Sequence, residues 1–181
     1  MGKHIVVLTG SPRNNGNSAA MADAFIRRAQ ALGHQVTRFD AAQKTVYGCR
    51  DCKTCYRTGK ACSFDDDFNA LAPEILAADV LVFVTPVYWY TFPAQLKAVI
   101  DKLFAFYIGG KDLTGKAYAL IACCEDDDIT AMDGVRLPLR RSADLLGWKC
   151  IGEILVQNVH EPGDIDRTDG CTRAAALAEQ I

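Results

Sequence analysis

The chain has 181 residues, half of them hydrophobic and 23% charged, with a formal net charge of −2. That length fits one domain, 1–181, with a core that needs no disulfide staples. The charge leaves no basic footprint for nucleic acid, and no apolar run reaches the roughly 18 residues of a membrane helix.

The first element is a strand over His4–Thr9, whose run Ile5-Val6-Val7-Leu8 suits a strand covered on both faces. The sequence reads straight into it, which predicts no export signal and hence a cytoplasmic protein. In that setting eight Cys point to reduced thiols, metal or redox chemistry rather than a disulfide framework.

Gly10-Ser11-Pro12-Arg13-Asn14-Asn15-Gly16-Asn17-Ser18 follows. Small polar residues between a strand and a helix form an anion cradle, because backbone N–H groups and the helix dipole both favour negative charge there. No Lys follows Gly16, so this is no Walker loop, and the Rossmann G-x-G-x-x-G is absent. The bland reading is a polar loop with a helix cap.

Ala22, Phe25, Ile26, Ala29 and Leu32 predict helix one, capped by Asn17 or Ser18 and closed by Gly33. His34–Asp40 reads as strand two. A Cys-rich connection at about 44–66 leads to Asp65-Asp66-Asp67 and helix two, about Phe68–Ala78, with Pro73 inside. Asp79–Val84 is the most apolar strand and empties into Thr85-Pro86-Val87-Tyr88-Trp89-Tyr90-Thr91-Phe92. Pro93 starts helix three, whose inner stripe is Leu96, Val99, Ile100 and Leu103, and Gly109-Gly110 ends it. Lys116–Cys124 is strand four, running into Glu125-Asp126-Asp127-Asp128. A helix broken at Pro138 follows, then strand five over Trp148–Val156 and an Ala-rich helical tail from about Asp166.

Strands and helices alternate five times, which predicts an α/β fold with one parallel sheet and helices on both faces. The chemically suggestive loops all follow strands one, three and four, at the carboxyl edge where such sheets bind ligands.

On GSPRNNGNS, DDDF, TPVYWYTFPAQLKAVIDKLFA and GWKCIGEILV, the chain resembles the flavodoxin-like NAD(P)H-dependent FMN reductases and oxidoreductases. The resemblance implies a flavodoxin-like doubly wound five-stranded sheet of order 2-1-3-4-5, bound FMN, NAD(P)H as co-substrate and a homodimer or higher oligomer. It gives the phosphate to Ser11, Arg13, Gly16, Asn17 and Ser18, and the flavin ring to Pro86, Val87, Tyr88, Trp89 and Tyr90. Cys124 is a further expected cofactor contact. Hydroxyls, amides and one Arg suit a dianionic phosphate, and a flat apolar ring suits aromatic faces beside backbone donors. Tyr88 and Trp89 are consecutive, so on an extended segment only one would face the ring. The acidic run after strand four is expected to turn outward from it.

Cys49, Cys52, Cys55 and Cys62 give C-x2-C-x2-C-x6-C, with Arg50, Lys53, Arg57 and Lys60 nearby. The spacing suits a 4Fe–4S cluster and resembles the motif of iron–sulfur flavoproteins; zinc and free or redox-active thiols remain alternatives. Cys123, Cys150 and Cys171 read as small hydrophobes. The expected activity is hydride transfer from NAD(P)H to FMN and onward to a flavin, quinone or other small acceptor, with no catalytic side chain. The alternatives are an iron–sulfur electron carrier and a non-catalytic flavin-binding sensor or assembly protein.

Overall fold

A computed structural model describes residues 2–181. Strands β1 (His4–Thr9), β2 (Gln35–Asp40), β3 (Val80–Pro86), β4 (Ala117–Cys123) and β5 (Lys149–Val156) form one parallel sheet ordered β2-β1-β3-β4-β5. Side chains alternate across each strand, so one run of apolar residues feeds two cores. Val6, Leu8, Leu81, Phe83 and Leu120 pack beneath α2 (Phe68–Ala77), α3 (Ala94–Asp101), α4 (Phe104–Ile108) and α5 (Asp133–Leu146). Ile5, Val7, Val82, Val84 and Ile121 face α1 (Asn17–Ala31) and α6 (Gly170–Leu177). Ile5 to Leu8 are fully buried, as their unbroken apolar run requires.

Pro73 lies inside α2, as the sequence reading has it, and Phe68, Leu71 and Ile75 are buried at 0–2% exposure. Each such side chain contributes about 1.5–3 kcal/mol, which together outweighs the roughly 3 kcal/mol that an interior proline costs. The expected third helix divides into α3 and α4, because tight turns from Lys102 to Val99 and from Leu103 to Ile100 interrupt it. The expected break at Pro138 does not occur: α5 runs unbroken through it.

The Cys-rich connection is fixed at its ends. Asp67 exchanges two hydrogen bonds with Thr45, and Asp66 accepts from the amides of Tyr47 and Phe68. The ammonium of Lys102 donates to Asp66, with both side chains almost wholly buried. Removing one member of such a pair strands the other charge. Asp66→Ala is expected to lower the unfolding free energy by about 3–5 kcal/mol in urea titration, whereas Asp66→Asn with Lys102→Met recovers much of the loss. Equal stability of Asp66→Ala and the wild-type chain would contradict the pair's role.

Candidate functional site

The strand order reverses between β1 and β3, so their loops diverge and leave a crevice at the carboxyl edge. The β1 loop is tied down by the Gly10 amide, which donates to Val84 O at 2.9 Å. A Cβ on Gly10 would stand 2.9 Å from Thr85 Oγ1, so the close approach requires glycine. Ser11 Oγ accepts from the Arg13 amide at 3.1 Å, and Gly16 N donates to Arg13 O. Gly16 is the N-cap of α1, and no side chain caps the helix. The first-turn amides, including those of Asn17 and Ser18, are therefore left for an incoming acceptor.

Ser11, Arg13, Gly16, Asn17 and Ser18 line a cavity of about 340 Å³ together with Pro86, Val87, Tyr88, Trp89, Cys123 and Cys124. The sequence also assigned Asn17 a phosphate contact, but its side chain is engaged elsewhere. The amide oxygen accepts from Gly163 and Ile165, and the amide nitrogen donates to Glu161 O at 3.0 Å. Asn17 instead joins the start of α1 to the segment after β5. That segment supplies Val159, His160 and Pro162 to the cavity, a wall that sequence reasoning missed. The turn-forming cluster Glu161-Pro162-Gly163 was its available signal.

The opposite wall is not extended as the sequence reading assumed. Tyr88 and Thr91 exchange hydrogen bonds at 2.9 and 3.0 Å, and the corners Trp89 and Tyr90 have φ of 48° and 63°. Two positive φ values make a turn of the I′ kind, which Asn and Gly normally occupy. Tyr88 and Trp89 consequently both line the cavity, while Trp89 and Tyr90 line an adjoining one. Bulky residues persist there only if the surroundings hold them.

What holds them is α5. Pro138 has no amide hydrogen, so the Gly134 carbonyl lacks its helical donor, and Thr91 Oγ1 donates to it at 3.0 Å. Gly134 leaves room as well, since a Cβ there would lie 1.7 Å from Tyr90 O.

Cys124 faces the cavity, but its main chain is occupied: its amide donates to Val156 O and its carbonyl accepts from Val159. Burial raises its thiol pKa and pushes that of Cys123 up to about 12, so both remain protonated at neutral pH. The acidic run does not turn fully away. Glu125, Asp126 and Asp127 line the adjoining cavity of about 640 Å³.

Cys49, Cys52, Cys55 and Cys62 surround one separate void of about 20 Å³, with Arg50, Lys53 and Lys102 beside it. Lys102 is distant in sequence and was not anticipated. The charges differ from expectation too, because Lys60 pairs with Asp65 at 2.8 Å. The Thr54 hydroxyl, helped by the Thr54 amide and Ser63, lowers the Cys52 thiol to about 7, while burial raises Cys55. Four thiols around one void suit soft-metal chemistry, yet among the described residues no three Cys, His or carboxylate groups stand ready to hold a metal ion. Cys150 is exposed on β5, contrary to its reading as a small core hydrophobe.

A doubly wound flavodoxin-like sheet with an anion cradle and an aromatic turn at its crevice defines the class. The chain belongs to the NADPH-dependent FMN reductase family, whose model matches residues 4–146. It is 31% identical over 101 residues to an iron–sulfur flavoprotein of Archaeoglobus fulgidus, covering 56% of this chain and 46% of that protein. It is also 31% identical over 105 residues to an uncharacterized NAD(P)H oxidoreductase of Escherichia coli, covering 56% and 53%. The chain spans about half the length of the curated relatives it matches. In fold it is similar to an NAD(P)H:quinone oxidoreductase from Methanothermobacter marburgensis, with TM-score 0.79, 18% identity and coverage of 98% and 95%. An FMN-dependent NADH-azoreductase from Bacillus anthracis in complex with FMN superposes at TM-score 0.74 with 13% identity, covering 99% of each chain.

Gly134→Ala is expected to displace the Tyr88–Thr91 turn and speed chymotryptic cleavage at Trp89 and Tyr90. Thr91→Val, which removes one hydrogen bond, is expected to cost about 0.5–1.5 kcal/mol of stability. Unchanged cleavage in Gly134→Ala would show that α5 does not hold the turn.

Proposed function

We propose that this chain is an FMN-dependent NAD(P)H oxidoreductase that passes two electrons to a small acceptor such as a quinone or a flavin. The observation that carries this reading is the single crevice in which an uncapped helix N-terminus with Arg13 and Ser18 meets an aromatic turn. A dianionic phosphate matches the first end, and a flat ring matches the second. FMN, when bound, supplies the carrier that accepts a hydride from the nicotinamide and releases two electrons onward.

The protein's residues do the rest by position. The first-turn amides of α1, Ser18 and the Arg13 guanidinium would hold the phosphate, with Ser11 fixing the loop that presents them. Tyr88 and Trp89 would flank the ring, and Pro86 and Val87 would close its edge. Neither Cys123 nor Cys124 supplies an anion, since burial keeps both protonated. In balance, NAD(P)H, a proton and a quinone give NAD(P)+ and a hydroquinone. The proton is taken from solvent through the open adjoining cavity.

A second reading is favoured by the four thiols around one void and by the relatives called iron–sulfur flavoproteins. In it, Cys49, Cys52, Cys55 and Cys62 would bind a cluster beside the flavin domain, with Arg50 and Lys53 offsetting its negative charge. The loop would have to open, because the thiols do not stand at ligating positions.

Arg13→Ala combined with Ser18→Ala is expected to weaken FMN binding about 10- to 100-fold, the loss of one or two charge-assisted hydrogen bonds. Flavin titration of the refolded apoprotein measures it, and unchanged affinity would place the phosphate elsewhere. Iron and sulfide analysis of anaerobically purified protein decides the second reading. Four Cys→Ser substitutions are expected to abolish bound iron while leaving flavin content intact.

A further inference from the structure

Beyond the cofactor crevice lies the adjoining cavity of about 640 Å³, which shares Val87, Trp89, Cys124, Glu125 and His160 with it. Any acceptor that reaches the flavin ring from solvent on this side must pass through it. Its apolar lining is Val87, Trp89, Tyr90 and Ala131, and Trp89 is 93% exposed, so flat aromatic surface is open to a planar guest. The remaining lining is Glu125, Asp126, Asp127, Asn158 and His160, without Lys or Arg among the described residues.

The main chain that carries these residues is held in place, and one of the carboxylates with it. Asp126 Oδ1 accepts from the Asp128 amide at 2.9 Å, Asp126 O accepts from Asn158 N, and the Asp127 carbonyl accepts from Gln157. Glu125 lies 3.8 Å from His160, which offsets its charge only when protonated. Arg13 belongs to the cofactor crevice and does not line this cavity.

On this basis, and resting on the flavin reading above, we infer that the adjoining cavity admits planar electron acceptors that are uncharged or cationic and excludes anionic ones. Trp89 and Tyr90 offer π faces that attract a cation, and the three carboxylates lining the same cavity reinforce that sign. The rule also suits the donor half-reaction. The reduced nicotinamide ring enters uncharged and leaves as a cation, with its phosphates on the remote part of the molecule.

The test uses FMN-loaded protein and two naphthoquinones that share one ring system. One carries a methylene-tethered trimethylammonium group and the other a methylene-tethered sulfonate. Two readouts are compared: quenching of tryptophan emission that is lost in Trp89→Phe, which gives Kd, and kcat/KM with NADPH. The cationic probe is expected to bind and react about tenfold better at low salt. Because exposed charges are screened over roughly 10 Å at 0.1 M salt, the ratio should fall towards one at high salt. It should also fall in Glu125→Gln and further in the Glu125→Gln, Asp126→Asn, Asp127→Asn variant, which cancels any intrinsic difference between the probes. A ratio indifferent to salt and to these substitutions, or one favouring the sulfonate, overturns the inference. If flavin is bound and bleached by NADPH while the ratio stays flat, only this inference fails. Protein that binds no flavin overturns the reading beneath it as well.

Discussion

Pro138 has no amide hydrogen to give the carbonyl of Gly134, and the hydroxyl of Thr91 takes the vacant place at 3.0 Å. On that contact depends the aromatic wall of the crevice, because Trp89 and Tyr90 occupy a left-handed conformation that their side chains disfavour. Gly134 completes the arrangement by letting the Tyr90 carbonyl approach where any Cβ would collide. A proline and a glycine that look like helix breakers thus serve the loop on the neighbouring strand. The helix itself survives because Val135, Leu139 and Ala143 are buried against the sheet.

The two ends of the crevice have opposite electrostatic character. At one end, uncapped amides and Arg13 favour anions; towards the adjoining cavity, Glu125, which lines both, and Asp126 and Asp127 disfavour them. On the proposed reading, that polarity would favour one orientation of a molecule with a phosphate tail and a neutral ring. Asn17 contributes indirectly, since its buried amide ties the cradle to the segment carrying His160.

The sheet, its order and the loops that matter could be read from the sequence because each depends on local apolar patterning. Ile5 to Leu8 and Val80 to Val84 have no other plausible partner than two covering helix layers. The site was legible in outline for the same reason: the residues after β1 and β3 lie where a parallel sheet presents its loops. What escaped sequence reading depends on distant partners. The Asn17 amide is spent on Gly163 and Ile165, and nothing near Asn17 in sequence announces it. Lys102 reaches the cysteine loop only because Asp66 draws it inside. The Tyr88–Thr91 turn looked extended because Trp-Tyr is no turn signature, and its conformation is imposed by α5.

The ends of the cysteine loop are anchored by Asp66 and Asp67, through Thr45, Tyr47 and the buried ammonium of Lys102. The flavin crevice nonetheless bears the central claim. The most direct measurement is anaerobic addition of NADPH, and separately NADH, to the purified protein while its visible flavin absorbance is recorded. The account predicts one flavin per chain that bleaches with one equivalent of reduced nicotinamide and recovers on adding a quinone. Bound flavin that neither nucleotide bleaches, or a protein that takes up no flavin, would contradict it.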